Sequence, residues 1–188
     1  MIKPPPVYAC LTFTVLSMLP SAGAREDLAD VRTKAEHGDA DAQVKLGHAY
    51  EVGDGVAKDF GEALKWYRKS ADQGDDVAQF DVGVMYYRAI GVPQDLIEAV
   101  RWYRRAAEQG NADAQFGLAA FYFAGAGVEK DEIEALAWFD VSALSGNEAA
   151  TKNRDILERT LGPEKSRAAR QRGTEIQKRI KKESNQHR

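Results

Sequence analysis

Residues 35–70 read AEHGDADAQVKLGHAYEVGDGVAKDFGEALKWYRKS, residues 71–106 read ADQGDDVAQFDVGVMYYRAIGVPQDLIEAVRWYRRA, and residues 107–142 read AEQGNADAQFGLAAFYFAGAGVEKDEIEALAWFDVS. Aligned without insertion, they agree at Gly38, Gly74 and Gly110, at Gln43, Gln79 and Gln115, and at Tyr50, Tyr86 and Tyr122. The agreement extends to Gly55, Gly91 and Gly127, to Asp59, Asp95 and Asp131, and to Trp66, Trp102 and Trp138. A fixed interval of 36 residues is the signature of a stacked array, in which one unit cannot bury its own apolar face.

Within a unit, Ala42, Leu46, Gly47 and Tyr50 recur at helical spacing. So do Ala78, Val82, Gly83 and Tyr86, and then Ala114, Leu118, Ala119 and Tyr122. This predicts a first helix, helix A, with one apolar stripe. A turn of the type Gly53-Asp54-Gly55-Val56 follows, its glycines able to visit positive φ. Asp59, Asp95 and Asp131 each precede a glutamate by three residues, namely Glu62, Glu98 and Glu134. That spacing predicts a capping box, with the aspartate holding a backbone N–H and the glutamate reaching back. Helix B then places Ala63, Trp66, Tyr67 and Ser70 on one side, as it does Ala99, Trp102, Tyr103 and Ala106, and Ala135, Trp138, Phe139 and Ser142. Gly74, Gly110 and Gly146 close helix B, and Asp75, Asn111 and Asn147 are placed to cap the next helix.

These residues resemble the Sel-one-like repeat, a relative of the tetratricopeptide repeat: alanine and glutamine opening helix A, leucine-glycine and tyrosine along it, a glycine-x-glycine-valine turn, an aspartate, then tryptophan-tyrosine, and an ending near verbatim at Ala107-Glu108-Gln109-Gly110. The resemblance covers Ala35 to Gly146. It departs at Asp81 in the second helix A, at Ala89 in place of the first loop glycine, and at Gly117 and Ala119 in the third unit. It implies an all-α fold, a right-handed α/α superhelix of three 36-residue helix-turn-helix repeats with helical caps. It further implies a non-enzymatic module that binds other proteins, and for exported bacterial members a scaffold or regulator of envelope assemblies. A disulfide-linked branch of such proteins is excluded, because Cys10, the one cysteine, lies in the leader.

That leader is read from Met1-Ile2-Lys3, an apolar run from Val7 to Leu19, and the small residues Ala22-Gly23-Ala24. The pattern predicts a secretory signal over residues 1–24 cleaved after Ala24, and so a periplasmic or secreted protein. The alternative is an uncleaved anchor, for which the run is short of the roughly 20 residues a bilayer demands. Residues 25–37 are expected as an N-terminal capping helix and residues 38–146 as the repeat array. Residues 147–182 are expected as C-terminal capping helices, with Pro163 at a helix start and residues 183–188 as a disordered tail. From Arg25 to Thr151 there are 13 Lys and Arg against 24 Asp and Glu, whereas residues 152–188 hold 12 against 5. The acidic body argues against nucleic acid as a partner.

His37, His48 and His187 are far apart, with no cysteine or carboxylate at a metal-ligand spacing, and no serine has a nucleophile-elbow setting. No cofactor and no metal is expected. Candidate binding positions are those that vary while the frame is constant. On the free side of helix A, expected to line the concave surface, these are Lys45, His48, Val52, Asp81, Val84 and Arg88, bordered by Tyr87, Phe121 and Phe123. On helix B, Lys65, Arg68 and Lys69 repeat as Arg101, Arg104 and Arg105, a basic convex stripe whose third copy, Ala137, Asp140 and Val141, has lost its charge. The first expectation is therefore a protein partner in the envelope. The second is an anionic carbohydrate or envelope polymer held by the stripe.

Overall fold

A computed structural model describes residues 27–186. The expected signal segment 1–24 lies outside the described residues, as do Arg25, Glu26, His187 and Arg188. The described residues form eight helices and no strand: α1 (Leu28–Glu36), α2 (Ala40–Val52), α3 (Phe60–Asp72), α4 (Asp76–Arg88), α5 (Leu96–Glu108), α6 (Ala112–Ala124), α7 (Glu132–Leu144) and α8 (Glu148–Gln186). Each helix packs chiefly on the next, so α2 with α3, α4 with α5 and α6 with α7 make three stacked hairpins. None of these helices is long and apolar enough to cross a membrane.

The neighbouring Trp and Tyr of helix B serve opposite sides. Trp102 belongs to a core with Ala63, Leu64, Ala71, Ala78 and Val82, behind it, while Tyr103 packs forward with Ala114, Leu118 and Ala119. Trp66 likewise seals α1 and α2, with Val31, Ala35 and Leu46. The helix-A glycines make room for the forward ring. A Cβ on Gly47 would stand 2.9 Å from Tyr67 Cδ1, and one on Gly83 would stand 2.7 Å from Tyr103 Cδ2. In the turns, Gly91 at φ 70° and Gly127 at φ 69° lie against the backbone of Phe60 and Leu96, the first residues of the preceding helices B. There glycine supplies both the left-handed conformation and the close approach that sets the unit spacing.

A buried polar ladder runs beside these contacts. Gln43 Nε2 donates to the Ala35 carbonyl and Gln73 Nε2 donates to Gln43 Oε1, both spanning separate helices. Gln79 and Gln109 repeat the pair, and Gln115 with Ser145 gives a shortened version. The amides are thereby satisfied where burial would otherwise be costly.

The expected capping box is corrected in one half. Asp59, Asp95 and Asp131 do accept from the N–H groups of the first helix-B turn. The glutamates do not reach back, because each aspartate N–H is already donated to the carbonyl of Tyr50, Tyr86 or Tyr122 at 2.9, 3.2 and 3.0 Å. Glu62 and Glu98 turn instead to Lys65 and Arg101.

The C-terminal helix is broken at Gly162, whose φ of 78° and ψ of 175° are non-helical, and Pro163 starts its second arm. That arm remains helical through Gln186, so the tail expected to be disordered from residue 183 is ordered for four further residues. It folds back on α7: a Cβ on Gly173 would stand 3.4 Å from the Ala137 carbonyl oxygen, Arg172 pairs with Glu134 at 2.8 Å, and Ile176 is fully buried. Farther on, Arg179 reaches Glu108 of α5 at 3.0 Å.

Candidate partner-binding surface

Along the helix-A side, equivalent positions meet at three seams between units. At the first, Tyr67 lies over Gly47 and its hydroxyl donates to Glu51 Oε2 at 2.8 Å. Asp81 faces this pair from α4. Its carboxyl is pushed up to about 7, first by burial and then by the charges of Glu51 and Asp75. Burial, the bond to Glu51 and the charges of Glu51 and Asp81 raise the Tyr67 phenol far above its ordinary range.

At the second seam the equivalents of Glu51, Tyr67 and Asp81 are Tyr87, Tyr103 and Gly117. Tyr103 is held between Gly83 and Gly117, edge-on to Phe80 at 5.3 Å and to Phe121 at 5.2 Å. Burial raises its phenol, with Arg88 opposing. At the third seam the same positions carry Phe123 and Phe139, the latter packed on Phe116 at 5.6 Å. The seams thus pass from two carboxylates, through tyrosines, to phenylalanines.

Of the positions read from sequence, Lys45, His48, Val52 and Arg88 are exposed, and Asp81, Val84, Tyr87 and Phe123 are half-buried. Phe121 is a correction: it is 5% exposed, wedged edge-to-face between Tyr103 and Tyr87, and belongs to the core. The other eight border one face on α2, α4 and α6. His37 ends α1 with its ring nitrogen 2.7 Å from the Thr33 carbonyl, a structural role.

The basic stripe is engaged by its own molecule. Lys65 pairs with Glu62 and Arg101 with Glu98. Arg68 donates to the Tyr86 hydroxyl and Arg104 to that of Tyr122. Lys69 lies 3.7 Å over the Trp66 ring and Arg105 4.6 Å over that of Trp102. In the third unit Ala137 is buried against Gly173 of the second arm of α8, Val141 is buried as well, and Asp140 pairs with Arg154, so no cation stands there. Sequence reasoning missed this docking, although the vanished charges signalled it.

Comparison with known proteins gives one picture. The family model described as the Sel1 repeat matches residues 40–75, 76–111 and 112–147. These units begin at helix A, five residues after the frame chosen from the sequence. A Sel1 repeat protein from Oxalobacter formigenes is 38% identical, with a TM-score of 0.66, covering 70% of this chain and 99% of that one. The c5321 protein, a protective antigen of uropathogenic Escherichia coli strains displaying an SLR fold, is 31% identical with a TM-score of 0.63, covering 85% of this chain and 43% of that one. Helicobacter pylori cysteine rich protein B shares the fold at 20% identity and a TM-score of 0.52, covering 69% of this chain and 98% of that one. No curated protein matches the chain.

Proposed function

Because the chain belongs to the Sel1 repeat family, we propose that it is an exported, non-enzymatic adaptor that binds a protein partner along the helix-A face in the bacterial envelope and thereby scaffolds or regulates an assembly. Repeats of this family generally mediate contacts between proteins. The observation that carries the reading here is the division of labour between positions. Trp, Gln, Gly and capping residues recur in every unit and are consumed by the fold, whereas Lys45, Asp81 and Gly117, or Glu51, Tyr87 and Phe123, differ at equivalent places on one face. A surface that changes while its frame repeats presents a distinct chemical pattern to a ligand longer than one unit.

Export is inferred from the residue 1–24 pattern. Fusing residues 1–40 to a reporter enzyme that works only outside the cytoplasm should give activity, and replacing Ala22 and Ala24 with bulky residues should leave the leader attached. A cytoplasmic reporter would remove the envelope part of the proposal. The adaptor part predicts saturable capture of a protein from envelope extracts that weakens at least tenfold when Lys45, His48 and Arg88 are all replaced by Glu. Capture that instead depends on Arg101, Arg104 and Arg105 would move the site to helix B, and retention on anionic glycan through those residues would favour a polymer ligand.

A further inference from the structure

The second arm of α8, residues 163–186, is held to the body by less apolar burial than the helices B are. Among its described side chains only Ser166, Ala169 and Ile176 are buried, with Gly173 against α7 and Ile180 half-buried. Helix α5, by comparison, buries Val100, Trp102 and Tyr103. The remaining hold is polar: Arg170 to Glu158 at 2.9 Å, Arg172 to Glu134 at 2.8 Å and Arg179 to Glu108 at 3.0 Å. Pairs of this kind, on partly exposed side chains, are weak, and an element resting on them opens more readily than the core. Its covalent tie is the hinge. Gly162 has φ 78° and ψ 175°, a region that glycine alone occupies readily, and a Cβ there would meet nothing within 4 Å. Glycine is therefore demanded by the sign of φ and not by space. Turning φ negative at the same ψ gives the extended backbone favoured before proline, while Pro163 keeps the two arms from joining into one straight helix. In that second state the arm leaves its own α7, with Ala169, Gly173 and Ile176 still arrayed along one side of it.

We propose that the seat formed by α7, the first arm of α8 and the end of α5 receives the arm of a second copy, so that two chains exchange arms about Gly162 into a reciprocal dimer. An open arm alone is unfavourable, because Ile176 would meet water and Glu134 would lose Arg172. The same arm from another copy restores every one of these contacts: Arg170, Arg172 and Arg179 again face Glu158, Glu134 and Glu108, and Gly173 again lies on Ala137. Closed and exchanged forms then differ only at the hinge and in the entropy of association, which makes exchange of an identical element an inexpensive route to a dimer. The product carries two helix-A faces, and a partner with two copies of its binding segment would be held with increased avidity. Exchange does not depend on which face of the array a partner uses.

Charge reversal separates exchange from closure. One variant of the full chain carries Glu108→Arg and Glu134→Arg, the other Arg172→Glu and Arg179→Glu. Alone, each sets like charges against one another whether its arm is closed or exchanged with its own kind. Mixed, the two regain both pairs only by exchanging arms. Native mass spectrometry of the mixture should show a dimer of one copy of each variant, at least tenfold more abundant than either variant's own dimer. In the otherwise unaltered chain, Gly162→Ala bars the closed hinge without a steric clash and should raise the dimer share at least tenfold in size exclusion. Circular dichroism melting of every variant checks that the array is folded; should the reversed chains fail to fold, Gly162→Ala decides alone. Folded variants that stay monomeric on mixing, dimers equally abundant in each variant alone, or a Gly162→Ala chain as monomeric as the unaltered one would overturn the exchange.

Discussion

Gly117 faces a ring and not solvent, since a Cβ there would lie 2.2 Å from Tyr103 Cε1. Gly117→Ala should therefore cost about 1–3 kcal/mol by overpacking, even though alanine is the better helix former; a lowered urea midpoint with unchanged slope would show it. Ala89 poses the reverse case, holding φ at 57° where the other two units have Gly53 and Gly125. The left-handed strain of about 1–2 kcal/mol is relieved in Ala89→Gly, offset by the freer unfolded chain. The expected result is no loss or a gain of up to ~1 kcal/mol, whereas Gly125→Ala should lose that much. Asp81 has a native carboxyl near 7 against an unfolded value of 3.8. A raised acid stabilises the fold below its unfolded value, and that support is lost as pH rises through the native one. Asp81→Asn should thus leave stability nearly unchanged at pH 4 and raise it by on the order of 1–2 kcal/mol at pH 8, read from paired melting curves. The spacing of Trp, Gln and Asp displayed these residues' places in the chain. It did not display which neighbour each would meet, because that is fixed by ring packing across units 30 or more residues apart.

The second arm of α8 owes its dock to a single vacancy. Where units one and two carry Lys65 and Arg101, the third carries Ala137, so Glu134 has no cation three residues on to pair with. It accepts from Trp138 Nε1 at 3.2 Å and from Arg172 Nε at 2.8 Å. The indole N–H groups of Trp66 and Trp102, buried without such an acceptor, show the contrast. Glu134→Ala should cost about 1–3 kcal/mol by orphaning both donors and should speed amide exchange across residues 163–186. Glu98→Ala, which removes only an exposed pair, should cost under about 0.5 kcal/mol. Helix starts and turns were legible because local chemistry decides them; Asp59, Asp75 and Asn111, read as caps from the sequence, each start a helix. The arm's position was not, since a broken helix with Gly162 can turn back in many directions and only packing against α7, at Ala137 and Asp140, selects one.

Across the molecule, each unit is closed by the Trp of its own helix B and the Tyr of the one before, with α1 and α8 covering the two ends. Trp102→Ala, in the middle of the stack, should cost about 3–5 kcal/mol, measured by denaturant unfolding. The frame leaves two long surfaces with different fates. On the helix-B side the cations are matched by glutamates, tyrosines and indoles, and the last unit is covered by α8. On the helix-A side the residues change from seam to seam. The frame was legible in the period; the unequal fates of its faces were not, because they depend on which charges find partners. Recognition along the helix-A face is the central claim, and site-directed photo-crosslinking in the native host addresses it most directly. A photoreactive residue at His48 or Arg88 on helices A, compared with one at Lys65 or Arg101 on helices B, should yield the same discrete protein adduct from the first pair and none from the second. Adducts from the helix-B positions alone, or the same adducts from both sides, would contradict it.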